Sequence, residues 1–225
     1  MANHSATNKG TNTLQNVYVL DHPLAAHHLS ILRDSVTPSA QFRTQVRLLS
    51  MLLAVKATED LDLEPVAVNT PLTRTEGKKL TGKIAIVPIL RAGLGLVEPV
   101  LELLPDAQVW HLGMYRDEAT AMPVEYYSKL PTTNPARVGF VLDPMLATGG
   151  SVRAAVAALK RWGVPDVRVL SVIAAREGIE RFQAEHPDVR VYVAAVDEEL
   201  NPHKFIVPGL GDAGDRMFNT VPWNA

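Results

Sequence analysis

Between residues 38 and 57 apolar side chains return at helical intervals. Phe42, Val46, Leu49 and Leu53 are separated by four, three and four positions, which stacks them on one face for burial and leaves Arg43, Gln45 and Arg47 elsewhere. Thr37 and Pro38 stand in front of this pattern as N-cap and first helical residue, because proline's fixed φ suits a position whose N–H has no intrahelical acceptor. Farther along, the pattern changes to strand-sized apolar runs rich in valine and isoleucine: Ile84–Ile89, Val109–Leu112, Val138–Leu142, Val167–Ile173 and Val189–Val196. Helical patterns separate several of them, from Ser151 to Trp162 with Gly163 as a C′ glycine, and from Ile179 to His186 before Pro187. Runs that are apolar throughout, alternating with helices, predict an α/β fold: a central, mainly parallel sheet flanked by helices on both faces. Ligands of such sheets bind beyond the carboxyl ends of the strands, so the loops that directly follow strands are where chemistry is sought.

Two segments break the alternation. Residues 115–135 are polar and interrupted by proline, long enough for a lid or a projecting hairpin. Residues 206–220 carry Gly209, Gly211 and Gly214 without any period, as expected of a structured loop that brings backbone close to a ligand. No repeat or low-complexity linker divides the chain, which reads as one domain over 14–225 behind a polar, disordered tail at 1–13.

Composition narrows the function. With 225 residues, 47% of them hydrophobic and 20% charged, the chain can bury a sizeable core. A formal net charge of -2 supplies no basic field to gather nucleic acid or anionic lipid, so an anionic ligand has to be captured by a locally built site. There is no cysteine, which excludes thiolate nucleophiles, thiolate metal sites and disulfides and agrees with a reducing compartment. The front of the chain lacks the apolar core of a signal peptide, and no run approaches the roughly 18 apolar residues of a membrane span. The expectation is a cytoplasmic protein.

The clearest chemical signal is VGFVLDPMLATGGS, residues 138–151. An apolar strand runs into Asp143, then into a small-residue turn, Ala147-Thr148-Gly149-Gly150-Ser151, and then into a helix. Glycines let successive amides converge, Thr148 and Ser151 add hydroxyl donors, and the helix start contributes partial positive charge, which together make a cradle for a phosphate. Asp143 beside it can accept from the two vicinal hydroxyls of a ribose. The string has neither the lysine of a Walker loop nor the glycine spacing of a dinucleotide fold. A second strand, Ile84–Ile89, ends in LRAGLG, residues 90–95, where the planar guanidinium of Arg91 suits diphosphate oxygens.

DPMLATGGS, PILRAGLG and IVPGLGDAGD together resemble the type I phosphoribosyltransferases, and within them the uracil phosphoribosyltransferase family. The resemblance extends over nearly all of residues 14–225. The wider family carries two adjacent acidic residues at the end of the strand, whereas Asp143 is followed here by Pro144, as in the uracil branch. The resemblance implies the type I phosphoribosyltransferase fold with a C-terminal hood loop over the base site, and transfer of the phosphoribosyl group of 5-phospho-α-D-ribose 1-diphosphate (PRPP) to uracil, giving UMP and pyrophosphate. It assigns PRPP to Arg91, Arg116, the run Asp143, Pro144, Met145, Leu146, Ala147, Thr148, Gly149, Gly150 and Ser151, and Asp212. It assigns uracil to Ile206, Gly211, Asp212 and Ala213, and makes Asp212 and Arg116 the candidate catalytic residues. Mg²⁺ is the expected cofactor, held through the diphosphate rather than by a protein cluster. Family members form homodimers or homotetramers, and some respond to GTP, a candidate effector. A transferase for another base and an RNA-binding regulator of the same fold are the alternatives. The hood sequence argues against the first, and the balance of 22 basic to 24 acidic residues offers the second no basic surface.

Overall fold

The computed structural model describes residues 14–116, 123–128, 130–131 and 133–220. In chain order the strands are β1 (Val17–Val19), β2 (Leu63–Asn69), β3 (Arg74–Leu80), β4 (Ile84–Pro88), β5 (Gln108–Val109), β6 (Leu112–Arg116), β7 (Pro123–Ser128), β8 (Val138–Leu142), β9 (Met145–Leu146), β10 (Asp166–Ala175), β11 (Arg190–Asp197), β12 (Glu199–Leu200) and β13 (Ile206–Val207). The helices are α1 (Pro23–Arg33), α2 (Ser39–Ala57), α3 (Val97–Leu103), α4 (Gly150–Trp162), α5 (Arg176–Glu185) and α6 (Ala213–Phe218), with a 3-10 turn at Ala92–Leu96.

A seven-stranded sheet organises the molecule in the order β1-β11-β10-β8-β4-β5, with β9 added alongside β10. Every pair in it is parallel, as the unbroken apolar runs predict. The reason is burial on two sides. All five residues of β4 and of β8 are buried, and alternate residues enter different cores. Ile84, Ile86, Phe140, Leu142, Leu170 and Val172 pack on the side of Phe42, Val46, Leu49 and Leu53. Ala85, Val87, Val141, Val167 and Val169 pack on the side of Val152, Val156, Leu159, Ile179 and Phe182. Among the described residues no helix is long and apolar enough to cross a membrane.

Several boundaries differ from the sequence expectation, each for a local reason. The N-cap of α2 is Pro38 rather than Thr37; the Thr37 hydroxyl donates instead to the Ile31 carbonyl at 2.6 Å, tying α1 to α2. The run Val109–Leu112 is not one strand. β5 pairs with β4 over two positions, and after Trp110 the chain turns into β6, which keeps one parallel bridge, Leu112 to Ile89, and otherwise pairs antiparallel with β7. The polar segment 115–135 therefore contributes to a projecting hairpin, while its middle, 117–122, lies outside the described residues, as do the expected tail at 1–13 and the last residues 221–225. α5 starts at Arg176, ahead of the expected Ile179, and takes Gly178 into its first turn. Within 206–220, the expected aperiodic loop contains a short helix, α6.

β2 and β3, which no apolar run in the sequence marks, form a separate two-stranded ribbon. Its residues are exposed on nearly every position, so it lacks the burial signal by which strands are found.

Candidate functional site

β4 and β8 are neighbours, paired from Ile84↔Val138 to Pro88↔Leu142, so the two motif loops leave the sheet side by side at its carboxyl edge. The Ile89 amide continues the ladder to the Leu142 carbonyl at 2.9 Å. Immediately beyond, Gly93 turns back against the same carbonyl: a Cβ there would stand 2.4 Å from Leu142 O. Only a glycine lets the Arg91 loop press this closely on the strand that delivers Asp143.

After Asp143 the chain does not form a free loop at once. The Pro144 carbonyl accepts from Val172 and Ile173, both at 3.0 Å, and β9 pairs Met145 with Ile173 and Leu146 with Ala174. The Leu146 side chain is fully buried in the core. The Ala147 amide donates to the Met145 carbonyl at 3.1 Å. Pro144, Leu146 and the Ala147 amide are thus engaged in building the turn itself. The amides from Thr148 onward remain at the start of α4, where a helix leaves its first N–H groups without intrahelical acceptors. Gly149 adopts φ 76° as the N-cap of that helix, a left-handed conformation that glycine holds without strain.

α5 braces this turn from outside. A Cβ on Gly178 would lie 1.9 Å from the Ala147 carbonyl oxygen, and one on Gly149 would lie 3.1 Å from Gly178 O. Gly178 had no signal in the sequence beyond being a glycine near the start of a helical pattern; its partner is thirty residues upstream and becomes visible only in space.

Asp143 is half-buried. Its Oδ1 accepts from the Met145 amide at 3.2 Å, which opposes but does not cancel the cost of burial, and its carboxyl is pushed up to about 7. The group therefore stands at the midpoint of its titration near neutrality, and a ligand that donates hydrogen bonds to it draws it toward the ionised form.

The C-terminal segment closes the third side. Asp212 is the N-cap of α6, its Oδ1 accepting from the Asp215 amide at 2.9 Å. Asp215 in turn receives Arg91 Nη2 at 3.0 Å, and the Arg91 and Thr220 contacts hold its carboxyl below the usual carboxylate range, Thr220 having the larger effect. Arg91 Nη1 also donates to the Thr220 hydroxyl at 3.4 Å, and the guanidinium is otherwise exposed. Sequence reasoning singled out Asp212 and missed Asp215, although an acid three residues after an N-cap acid is a helix-start signal. Gly214 lies under the same guanidinium, 3.5 Å from Arg91 Nη2 to the position a Cβ would take. The expected hood and the expected diphosphate loop are thus in contact.

Ile206 is buried in β13, opposite Leu200, and Ala213 is buried in the first turn of α6. Gly211, between them, has φ 76°. What holds this segment is a set of arginine clamps that the sequence did not single out. Arg33 grips Asp197 bidentately at 2.6 and 2.8 Å and also donates to Gly209 O at 2.9 Å, while the Gly209 amide donates to Asp197 at 3.1 Å. Arg216 donates to the Leu32 and Leu210 carbonyls at 2.8 and 2.7 Å and stacks 4.4 Å above the Phe42 ring. Arg116 ends β6 opposite Pro123, and its side chain lies outside the described residues.

The site therefore combines a helix start whose first amides lack intrahelical acceptors, a carboxylate poised to ionise, a permanent cation and a backbone-rich loop. A family model described as uracil phosphoribosyltransferase matches residues 19–220. A uracil phosphoribosyltransferase of a Roseiflexus species is 52% identical over 204 residues, covering 91% of this chain and 98% of the relative. One from Agathobacter rectalis is 54% identical over 205 residues, with the same coverage of 91% and 98%. Among solved structures, the AQ2163 protein from Aquifex aeolicus superposes with a TM-score of 0.86 at 36% identity, over 92% of this chain and 99% of its own. The adenine phosphoribosyl transferase of Trypanosoma brucei, at a TM-score of 0.56 and 12% identity over 90% of each chain, shares the fold.

Proposed function

The chain belongs to the uracil phosphoribosyltransferase family, and from that membership we propose that it transfers the phosphoribosyl group of PRPP to uracil, forming UMP and pyrophosphate. The observation that carries this reading is the meeting of three loops at one sheet edge: the Gly149 turn and Asp143, the Arg91 loop packed on Leu142, and the glycine-rich segment joined to Arg91 through Asp215. Mixing the protein with Mg²⁺, uracil and PRPP is expected to yield UMP; replacing uracil with cytosine, hypoxanthine or adenine is expected to yield none. Turnover of a purine instead would assign the site to another base.

In this reading the amides of Thr148, Gly149, Gly150 and Ser151, with the Thr148 and Ser151 hydroxyls, receive the 5′-phosphate. Asp143 accepts from the ribose hydroxyls. Pro144, Met145, Leu146 and Ala147 act through the backbone that sets the turn. Arg91, steadied by Asp215 at Nη2 and by Thr220 at Nη1, presents its remaining donors to the diphosphate, with Arg116 as a second cation. The bond from the anomeric carbon to the diphosphate oxygen breaks and its electron pair leaves with pyrophosphate, while the uracil N1 forms the new bond and gives up its proton. Charge grows on the departing diphosphate, so the arginines stabilise the transition state more than the ground state.

The backbone around Ile206, Gly211, Asp212 and Ala213 reads the base edge. A base that mismatched these buried donors and acceptors would leave them unpaired, a strong basis for selection. Asp212 is the nearest candidate to assist loss of the N1 proton, a role it would combine with capping α6.

The donor set suits Mg²⁺ delivered on its ligand. Asp143 is the sole carboxylate on the run 138–151, and this cation prefers phosphate oxygens and water with few protein ligands. Held through the diphosphate, it would neutralise part of the leaving group's charge.

Self-association belongs to the same reading. The ribbon of β2 and β3 exposes Val68 by 38% and Leu72 by 95%. A two-stranded ribbon is marginal in water alone, and a second copy packed on it would complete its burial.

A further inference from the structure

Ser171 is a fully buried residue on β10 whose hydroxyl has no hydrogen-bond partner. An unpaired buried hydroxyl costs stability, and its retention calls for a use. The strand register shows what lies beside it. β8 and β10 pair Val141 with Val169 and Leu142 with Leu170, and on the far side of Pro144 the same register resumes with Met145 opposite Ile173. Asp143 therefore stands opposite Ser171, a correspondence supported by the Asp143 amide, which donates to the Leu170 carbonyl at 3.2 Å. Alternation puts both side chains on the face shared by Val141 and Val169, away from Leu142 and Leu170. Neighbouring strands are about 4.8 Å apart, within which two short polar side chains on one face can meet.

We propose that Ser171 is a positioning residue for Asp143: its hydroxyl, unpaired in this structure, turns about the Cα–Cβ bond to donate to the carboxylate from the adjacent strand and holds it ionised and oriented to receive two ribose hydroxyls. The inference deepens the proposed function and rests on the assignment of Asp143 to the ribose. The Met145 amide uses only Oδ1; Oδ2 makes no hydrogen bond among the described residues, which leaves an oxygen for Ser171 or for the ligand. Burial and the Met145 amide are the two influences on the Asp143 carboxyl. No charged or titratable side chain on β4, β10, α4 or α5 among the described residues acts on it, so a single neutral donor is able to move its titration.

The test is a carbon-detected carboxyl NMR titration of Asp143 in the wild type, Ser171→Ala and Ser171→Thr, with PRPP affinity measured over the same pH range. Ser171→Ala removes an unpaired polar atom and is expected to fold. Its Asp143 midpoint should stand near 7, where burial and the Met145 amide alone place it, about one unit above the wild type and Ser171→Thr, which keep the hydroxyl. PRPP binding by Ser171→Ala should then be weaker by about fivefold near pH 6 and converge with the wild type near pH 9. An unchanged midpoint in Ser171→Ala, or an affinity loss equal at both pH values, overturns the proposal. If Asp143→Asn binds PRPP as tightly as the wild type near pH 9, the ribose assignment fails, and the NMR midpoint still decides whether Ser171 acts on Asp143.

Discussion

Asp143 shows how burial turns one carboxyl into a pH-dependent element. Its ordinary value of 3.8 is raised to about 7 in the folded protein, so the folded state holds this proton more tightly than the unfolded chain. The sign follows: this group's contribution to stability is greatest below about pH 4 and is lost as pH rises to about 7, a span of about 2–4 kcal/mol. Asp143→Asn is therefore expected to be as stable as the wild type at low pH and more stable above neutrality, with PRPP binding lost. Thermal unfolding across pH checks the first, and titration calorimetry the second. Arg91 is the complementary case. Its charge is permanent, and its planar fork is divided among Asp215, Thr220 and open space, so Arg91→Lys keeps charge but loses the fork. We expect a fall of about tenfold or more in kcat/KM, with little change in melting temperature. Steady-state kinetics in varied PRPP would measure it.

At the scale of elements, the site depends on loops that press backbone to backbone. Gly178→Ala would drive a methyl group into the Ala147 carbonyl from 1.9 Å, and the start of α5 would have to withdraw from the turn it braces. The expected cost is about 1–3 kcal/mol of stability, accompanied by weaker phosphate binding, since the same movement displaces the Gly149 amides. Denaturant unfolding and PRPP affinity measured on one variant would show whether the two losses go together. The helix Ser39–Ala57 and the strands Ile84–Pro88, Val138–Leu142 and Arg190–Asp197 were legible in the sequence because each has a buried face or two. The β2–β3 ribbon was not, since little of it is buried in this chain. The division of Val109–Leu112 between two sheets was equally hidden, because an apolar run carries no record of which neighbour it pairs with.

Across the whole molecule, the C-terminal segment reaches the site only through long-range clamps. Arg33 and Asp197 lie 164 positions apart in sequence, and together they fix Gly209. Arg33→Ala leaves the buried Asp197 without its cation and is expected to destabilise the protein by about 2–4 kcal/mol, with KM for uracil rising more than KM for PRPP. That split in the two KM values, against equal effects on both, separates a loosened hood from general unfolding. Self-association is read at the same scale. Light scattering is expected to give a mass of at least twice 24.5 kDa, and Val68→Asp in the exposed ribbon is expected to shift it toward the single chain.

The local signals in the chain were enough to determine the parallel α/β sheet, the strand-turn-helix around Gly149, and the candidate roles of Asp143, Arg91 and the closing glycines, because periodicity, burial and turn chemistry are properties of neighbouring residues. Tertiary structure alone decided that the Pro144 carbonyl and Leu146 are built into the sheet, that Asp215 holds Arg91, that Gly178 braces the Gly149 turn, and that the strand register sets Ser171 opposite Asp143. Each of these joins residues distant in sequence. Their closeness follows from strand order and register, which the packing of the entire chain selects and no short stretch of it encodes.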